Sequence, residues 1–398
     1  MPSRQNLAIV ALAAGLPALA AQAQTLTTLH AFTGGNDGSQ PNSPLLYHGG
    51  TLFGVTVVGG SGGQGTVYSV DPASGAETVL HAFAPGNGSP QNPAGKLIFH
   101  GRLYGTSLSG GTNCVELGGC GTVFRVDPAS GKEDVVYSFA GTTDGAAPDA
   151  GVIVLGGLLY GTTTGFGTQS YGTVFTLNPA TGAETVLHRF TGADGSEPEA
   201  TLMIYKGALW GTTAAGGNDG CAQEGCGTVF QVDPSSGGLT VAYTFTSTPD
   251  GASPGAGLVE HGGMFYGTTT WGGSGDFGSV FSFNPATGVE KVLYSFSGLH
   301  DGGNPTGGLI YENGLLYGTT SLGGSFTRSC IDTEQRVGCG TIFSVNPRSG
   351  ATKTLYRFTG AGDGSAPAWS LIYQDGAFYG TTSSGGTAGN GTVFKFVP

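Results

Sequence analysis

From residue 25 onward the chain alternates apolar and polar positions in short stretches, each closed by a break rich in Gly, Asp, Asn or Pro. Period-two alternation of this kind marks strands with one buried face. Three signatures recur in fixed order, seven times each. The first is an apolar-aromatic-Gly-Thr/Val-Thr/Ser block whose aromatic residues are Phe53, Tyr104, Tyr160, Trp210, Tyr266, Tyr317 and Tyr379. The second, Gly-Thr/Ser-Val/Ile-aromatic, carries Tyr68, Phe124, Phe175, Phe230, Phe281, Phe343 and Phe394. The third ends in Phe32, Phe83, Phe139, Phe190, Phe245, Phe296 and Phe358. Each unit reads as four strands, a to d, with a tight turn such as Asn313-Gly314 between a and b. An Asp/Asn-Pro-x-Ser/Thr-Gly turn such as residues 178–182 joins c to d. Pro presets φ and Gly supplies positive φ, so both reversals favour hairpins and the unit is an antiparallel meander.

One such sheet cannot bury both faces alone, and radial packing of several solves the problem. The order of the signatures predicts how the ring closes. The repeats begin with a lone d-type strand, Thr25 to Phe32, and end with a lone c-type strand, Gly391 to Pro398. Pairing the two completes the seventh sheet and covers two exposed edges. The fold class expected is therefore all-β: a seven-bladed β-propeller of four-stranded blades, one domain over residues 24–398.

Composition sharpens this reading. With 77 glycines in 398 residues and 10% charged residues, neither collagen nor an acidic disordered chain fits, and long helices are disfavoured. The net charge of -12 and the lack of a basic patch argue against a nucleic acid partner. Residues 1–23 read as a signal peptide: Arg4, an apolar run from Leu7 to Ala20, then Ala21-Gln22-Ala23, with cleavage expected before Gln24. No later segment is long and apolar enough for a spanning helix, and no Cys follows the cleavage site to take a lipid. A monomer that is secreted or periplasmic, without a membrane anchor, is expected.

The alternation of Leu-Tyr-Gly-Thr-Thr with Gly-Thr-Val-Phe over residues 25–398 resembles the GloVer (Gloeobacter/Verrucomicrobia) tandem repeat of exported bacterial proteins. The resemblance implies a propeller scaffold. Its motif is structural and carries no catalytic residue onto this chain, and the sorting anchor common in such proteins is not seen here.

The 21 aromatic residues of the three signatures are expected to be core, with the Gly of each first block letting a ring approach closely. Off these columns stand Trp271, Trp369, Phe166, Tyr171, Phe277 and Phe326. The b-to-c loops are short in four units and longer in three, and the longer ones hold all six cysteines: Cys114 and Cys120, Cys221 and Cys226, Cys330 and Cys339. An exported chain meets an oxidising environment, so three local disulfides are expected; the spacings do not match paired zinc ligands.

The b-to-c loops and the d-to-a connections fall on one face, which carries the variation and is where recognition is expected. Its inserts hold Glu116, Asp219, Glu224, Asp332 and Glu334, with Trp271 and Phe277 in a neighbouring loop. The connections repeat Asp-Gly at Asp37, Asp144, Asp194, Asp250, Asp301 and Asp363, with Asn87 in the remaining unit. This reads as a turn-capping device rather than a ring for a cation, so neither calcium nor any other cofactor is assigned. Aligned on the upstream Pro, the segment entering strand a is small in six units and Trp369 in the seventh, and Lys96 and Glu260 stand out in neighbouring columns. Trp271, Trp369, Lys96, Glu260 and Phe277 are the candidate ligand contacts.

No catalytic constellation can be assembled. Gly59 to Gly63 and Gly60 to Gly65 spell G-x-S-x-G and G-x-G-x-x-G, but strand c follows where those motifs require a helix. The function expected is an exported, non-catalytic binding or scaffold propeller whose partner is an extracellular glycan or another exported protein. The alternative is a secreted polysaccharide lyase or glycosidase using carboxylates or Lys on that face.

Overall fold

The computed structural model describes residues 24–398 apart from 87, 115–117, 142, 166–170, 219, 222–223 and 331–337. The expected signal peptide and the side chains of Asn87, Glu116, Phe166, Asp219, Asp332 and Glu334 lie outside the described residues. The strands form seven antiparallel sheets in a seven-bladed β-propeller. Blade 1 holds Leu46–His48 (a), Thr51–Val58 (b), Thr66–Val70 (c) and Glu77–Ala82 (d). Blade 2 runs from Pro90–Phe99 to Glu133–Ser138, and blades 3 to 6 repeat the order from Ile153–Leu155 to Thr352–Arg357. Blade 7 takes its a, b and c strands from Ile372–Gln374, Ala377–Thr382 and Thr392–Val397, and its d strand is Thr25–Ala31. Thr25 lies opposite Val397, Thr28 opposite Phe394 and Ala31 opposite Thr392, so the expected closure is made.

The first two blades depart from strict repetition. An extra strand, Ser39–Pro41, pairs with strand b of blade 1, and strand a of blade 2 is lengthened with a register shift between Ala94 and Ile98. Here the connection runs alongside a longer strand b; in the other blades the same approach leaves single bridges such as Ala146 with Gly165.

All 21 signature aromatics are at most 8% exposed. Each third-signature Phe meets the second-signature ring of the next blade edge to face: Phe83 with Phe124, Phe139 with Phe175, Phe190 with Phe230, Phe245 with Phe281, Phe296 with Phe343 and Phe358 with Phe394. The seventh contact, Phe32 with Tyr68, crosses from blade 7 to blade 1. At about 1 kcal/mol each beyond buried area, the seven contacts together rival the net stability of an ordinary domain. Glycine permits the geometry: a Cβ on Gly105 of strand b would lie 2.6 Å from Cζ of Phe124.

Polar contacts tie each d strand to the connector that follows it. The connector carboxylates accept backbone N–H groups of Thr33, Ala140, Thr191, Thr246, Ser297 and Thr359, which makes them turn caps. Tyr137, Tyr243, Tyr294 and Tyr356 donate their hydroxyls to Asp144, Asp250, Asp301 and Asp363, and His30 and His188 bond Asp37 and Asp194. Facing Asp37, Asp144 and Asp250 from the next blade are Glu77, Glu184 and Glu290. Glu133 begins the corresponding strand of blade 2. Each of these four glutamates has a buried Oε1 without a hydrogen-bond partner among the described residues. Burial, followed by the nearby aspartate charge, pushes all four carboxyls up to about 7.

The three cysteine pairs are bonded as expected: Cys114 with Cys120, Cys221 with Cys226 and Cys330 with Cys339. The second Cys of each pair directly precedes the Gly that opens strand c, a column filled elsewhere by Gln64, Tyr171, Phe277 and Asn390. In blade 2 the disulfide sulfurs cover connector residue Gly141, and in blade 5 the Phe277 ring covers the equivalent Gly298. Phe277 thus packs where another blade carries a disulfide, and 37% of it stays exposed.

Three outcomes follow from these contacts. The Tyr68 hydroxyl is fully buried without a hydrogen-bond partner among the described residues, where the other six blades have Phe, so Tyr68→Phe is expected to stabilise the protein by about 1 kcal/mol, read as a raised denaturation midpoint. The four glutamates bind protons more tightly folded than unfolded. Their stabilisation is complete below about 4.5 and is lost as pH rises through about 7. Melting temperature is therefore expected to fall between pH 5 and 8, and Glu184→Gln together with Glu290→Gln to flatten that slope. The disulfides close loops spanning only 6, 5 and 9 residues, so reduction is expected to lower the melting temperature while circular dichroism keeps its sheet signature.

Candidate functional site

The wall of the central channel is set by a kink repeated in every blade. The residue before each connector Pro is Gln40, Asn92, Ala147, Glu197, Ser253, Asn304 or Ala366, and all seven have φ between 52° and 56°. Outside glycine this left-handed conformation costs about 1 kcal/mol, so something must hold it. A hydrogen bond does: in all seven, the N–H donates to a carbonyl of the preceding blade, as Ala147 to Cys120 at 2.9 Å and Asn304 to Phe277 at 2.8 Å. The Pro that follows then packs on the Gly opening strand c of that blade. A Cβ on Gly65 would sit 2.7 Å from Pro93 Cδ and 2.2 Å from the Thr56 carbonyl, and its φ is +95°. The chain leaves this lock heading along the axis.

The residues after the seven Pro enclose a cavity of about 440 Å³, and every blade contributes. It lies toward the face of the b-to-c loops, because its lining precedes and enters the a strands. Trp369 and Lys96, expected from the sequence as channel departures, both line it. Trp369 is fixed at two points: its indole N–H donates to Asn42 Oδ1 at 2.7 Å across the closure, and its carbonyl accepts from Thr319 Oγ1 at 3.1 Å. Lys96 is half-buried and has no salt-bridge partner among the described residues. Burial lowers its ammonium from the usual lysine range.

Two further lining residues, Asp149 and Glu199, were not singled out by sequence reasoning. They stand in adjacent blades in the column directly after Pro, which otherwise reads Asn42, Ala94, Gly255, Thr306 and Ala368. Aligning that column, one position from those considered, would have found them. Glu199 reaches over the neighbouring blade, with Oε2 3.0 Å from where a Gly255 Cβ would be. It opens onto the cavity but is walled by protein. That desolvation, then Asp149 and Glu197, pushes its carboxyl up to about 7. Desolvation also raises Asp149. The cavity thus combines an indole, an unpaired ammonium and two carboxyls held toward their neutral form.

The other candidates are placed elsewhere. Glu260, expected beside the channel, is exposed, and its Oε1 accepts the Gly263 N–H at 2.8 Å in the a-to-b turn. It lies outside the cavity lining although its equivalent in blade 7, Tyr373, is part of that lining, because its carboxylate is engaged in its own a-to-b turn. Trp271 is 49% exposed on the loop face, its backbone bridged to Ala252, and it too lies outside the lining. Glu224 is exposed in its loop. Among the described residues no group of three or more His, Cys, Asp or Glu is placed to hold a metal, and no helix is long and apolar enough to cross a membrane.

Comparison with known proteins places this architecture. An oligogalacturonate lyase in complex with manganese shares 13% identity, with 94% of this chain and 92% of that one covered at a TM-score of 0.51. An oligogalacturonate lyase from Vibrio parahaemolyticus shares 10%, with 94% and 93% covered and a TM-score of 0.51. The extracellular domain of a hybrid two-component system from B. thetaiotaomicron shares 13%, with 94% and 42% covered and a TM-score of 0.54. At such identities the likeness is one of fold. No curated protein matches the chain. A model of the Gloeobacter/Verrucomicrobia repeat matches residues 16–165 and 100–331, which together span most of the sequence, and the chain belongs to that repeat family.

Proposed function

We propose that this protein is an exported, non-catalytic glycan-binding propeller, released by cleavage near Ala23, that takes a sugar unit into its axial cavity from the loop face. The observation that carries this reading is the cavity of about 440 Å³ with Trp369, Asp149, Glu199 and Lys96 in its wall. That volume is in the range of small-ligand sites. A flat indole offers an apolar face to sugar C–H groups, and carboxyls exchange hydrogen bonds with hydroxyls. The three disulfides suit an oxidising compartment outside the cytoplasm, where polysaccharides are met.

One feature favours a second reading, a polysaccharide lyase or glycosidase: a carboxyl near 7 and a depressed lysine share the cavity, as general acid–base chemistry requires. New reducing ends or unsaturated uronate absorbance from a polysaccharide panel would replace the binding reading with this one.

The binding reading is tested by calorimetric titration of an oligosaccharide panel. Trp369→Ala is expected to weaken binding about tenfold or more, and Trp271→Ala, outside the cavity, to leave it within about twofold. Equal affinity of wild type and Trp369→Ala would remove the axial site.

A further inference from the structure

Among the described residues, Lys96 is the one lysine or arginine in the cavity wall. Four other basic residues, Arg102, Arg125, Lys132 and the exposed Arg189, show how this chain satisfies cations: three pair with Asp134, and the last donates to the Thr143 carbonyl. Lys96 has neither kind of partner among the described residues. A half-buried ammonium without a counter-charge is unfavourable and is relieved when an anion arrives. The nearest acids by sequence register, Asp149 and Glu199, do not supply it. They stand in the column directly after Pro, whereas Lys96 stands two residues further along the chain toward strand a. No carboxylate offsets the lowering of the Lys96 ammonium, which burial alone causes. The cavity wall therefore carries hydroxyl-seeking carboxyls in the column after Pro and an unmatched cation two columns further along the chain.

We propose that the sugar this cavity selects is a uronic acid unit whose carboxylate pairs with Lys96 while its hydroxyls meet Asp149 and Glu199 and its ring lies on Trp369. This deepens the glycan-binding reading and rests on it. A neutral sugar would leave Lys96 desolvated and unpaired, so the cavity discriminates through its buried charge. The ionisable groups around the site are Lys96, Asp149, Glu199, Glu197 and the lining Tyr373. Glu199 is pushed up to about 7, so it repels the ligand carboxylate above that pH and donates a hydrogen bond below it.

The experiment titrates trimannuronate and trigalacturonate, each beside its carboxyl-reduced neutral counterpart, into wild type, Lys96→Met, Lys96→Arg and Trp369→Ala. Wild type is expected to prefer at least one acidic trimer over its neutral counterpart by about tenfold or more. Lys96→Met should erase that preference while keeping neutral affinity, Lys96→Arg should retain it, and Trp369→Ala should weaken acidic and neutral trimers together. The acidic preference should grow as pH falls from 8 to 6 in wild type and stay flat in Glu199→Gln. Binding of acidic and neutral trimers with equal affinity, or a preference that survives Lys96→Met, would overturn the uronate assignment and leave the glycan site standing. No binding of either class, with Trp369→Ala indistinguishable from wild type, would remove the site itself.

Discussion

Each blade of this molecule packs on the next through at least one edge-to-face aromatic contact, that of its third-signature Phe, and because this contact recurs at all seven interfaces the chain has to form a ring. The Phe at the end of a d strand has its partner in the following blade, so no blade completes its own core. The seventh contact, Phe32 with Tyr68, joins blade 7 to blade 1 because Thr25–Ala31, which leads into Phe32, pairs with Thr392–Val397. Closure therefore joins residues from the two ends of the chain. It also explains a composition with so much glycine: the strand-b Gly leaves room for the ring, and the Gly opening strand c leaves room for the next blade's Pro.

The cavity follows from the same interfaces. The left-handed residue before each Pro is unfavourable by itself and is held by its hydrogen bond to the preceding blade. Seven such locks point the next few residues at the axis, where side chains vary freely because the ring no longer depends on them. Trp369, Asp149, Glu199 and Lys96 occupy those positions. Asn42 and Trp369 hydrogen-bond across the closure between blades 7 and 1, so the indole is set only in the closed ring.

Periodicity made the scaffold legible. Signatures that recur in seven units identify the buried aromatics, the strand order and the terminal clasp, because a ring imposes the same physical demand at each equivalent position. The candidate site was legible only in part, for the converse reason: it lies where equivalence is broken. Trp369 and Lys96 were visible as departures from small or apolar columns. Asp149 and Glu199 were missed because their column, next to the Pro, already mixes Asn42, Thr306 and Gly255 and so gives a weaker contrast. Glu260 showed the limit of column reasoning: its departure is real, but its carboxylate caps the a-to-b turn, whereas the equivalent Tyr373 lines the cavity. Phe277, an outlier in sequence, fills the place that other loops give to a disulfide.

Hydrogen–deuterium exchange of the intact oxidised protein, read by mass spectrometry on peptides covering residues 25–32 and 392–398, tests the closed ring most directly. The account predicts that both peptides exchange as slowly as the c and d strands of blades 3 to 6. Exchange of either terminal peptide within seconds, while those inner blades stay protected, would contradict it.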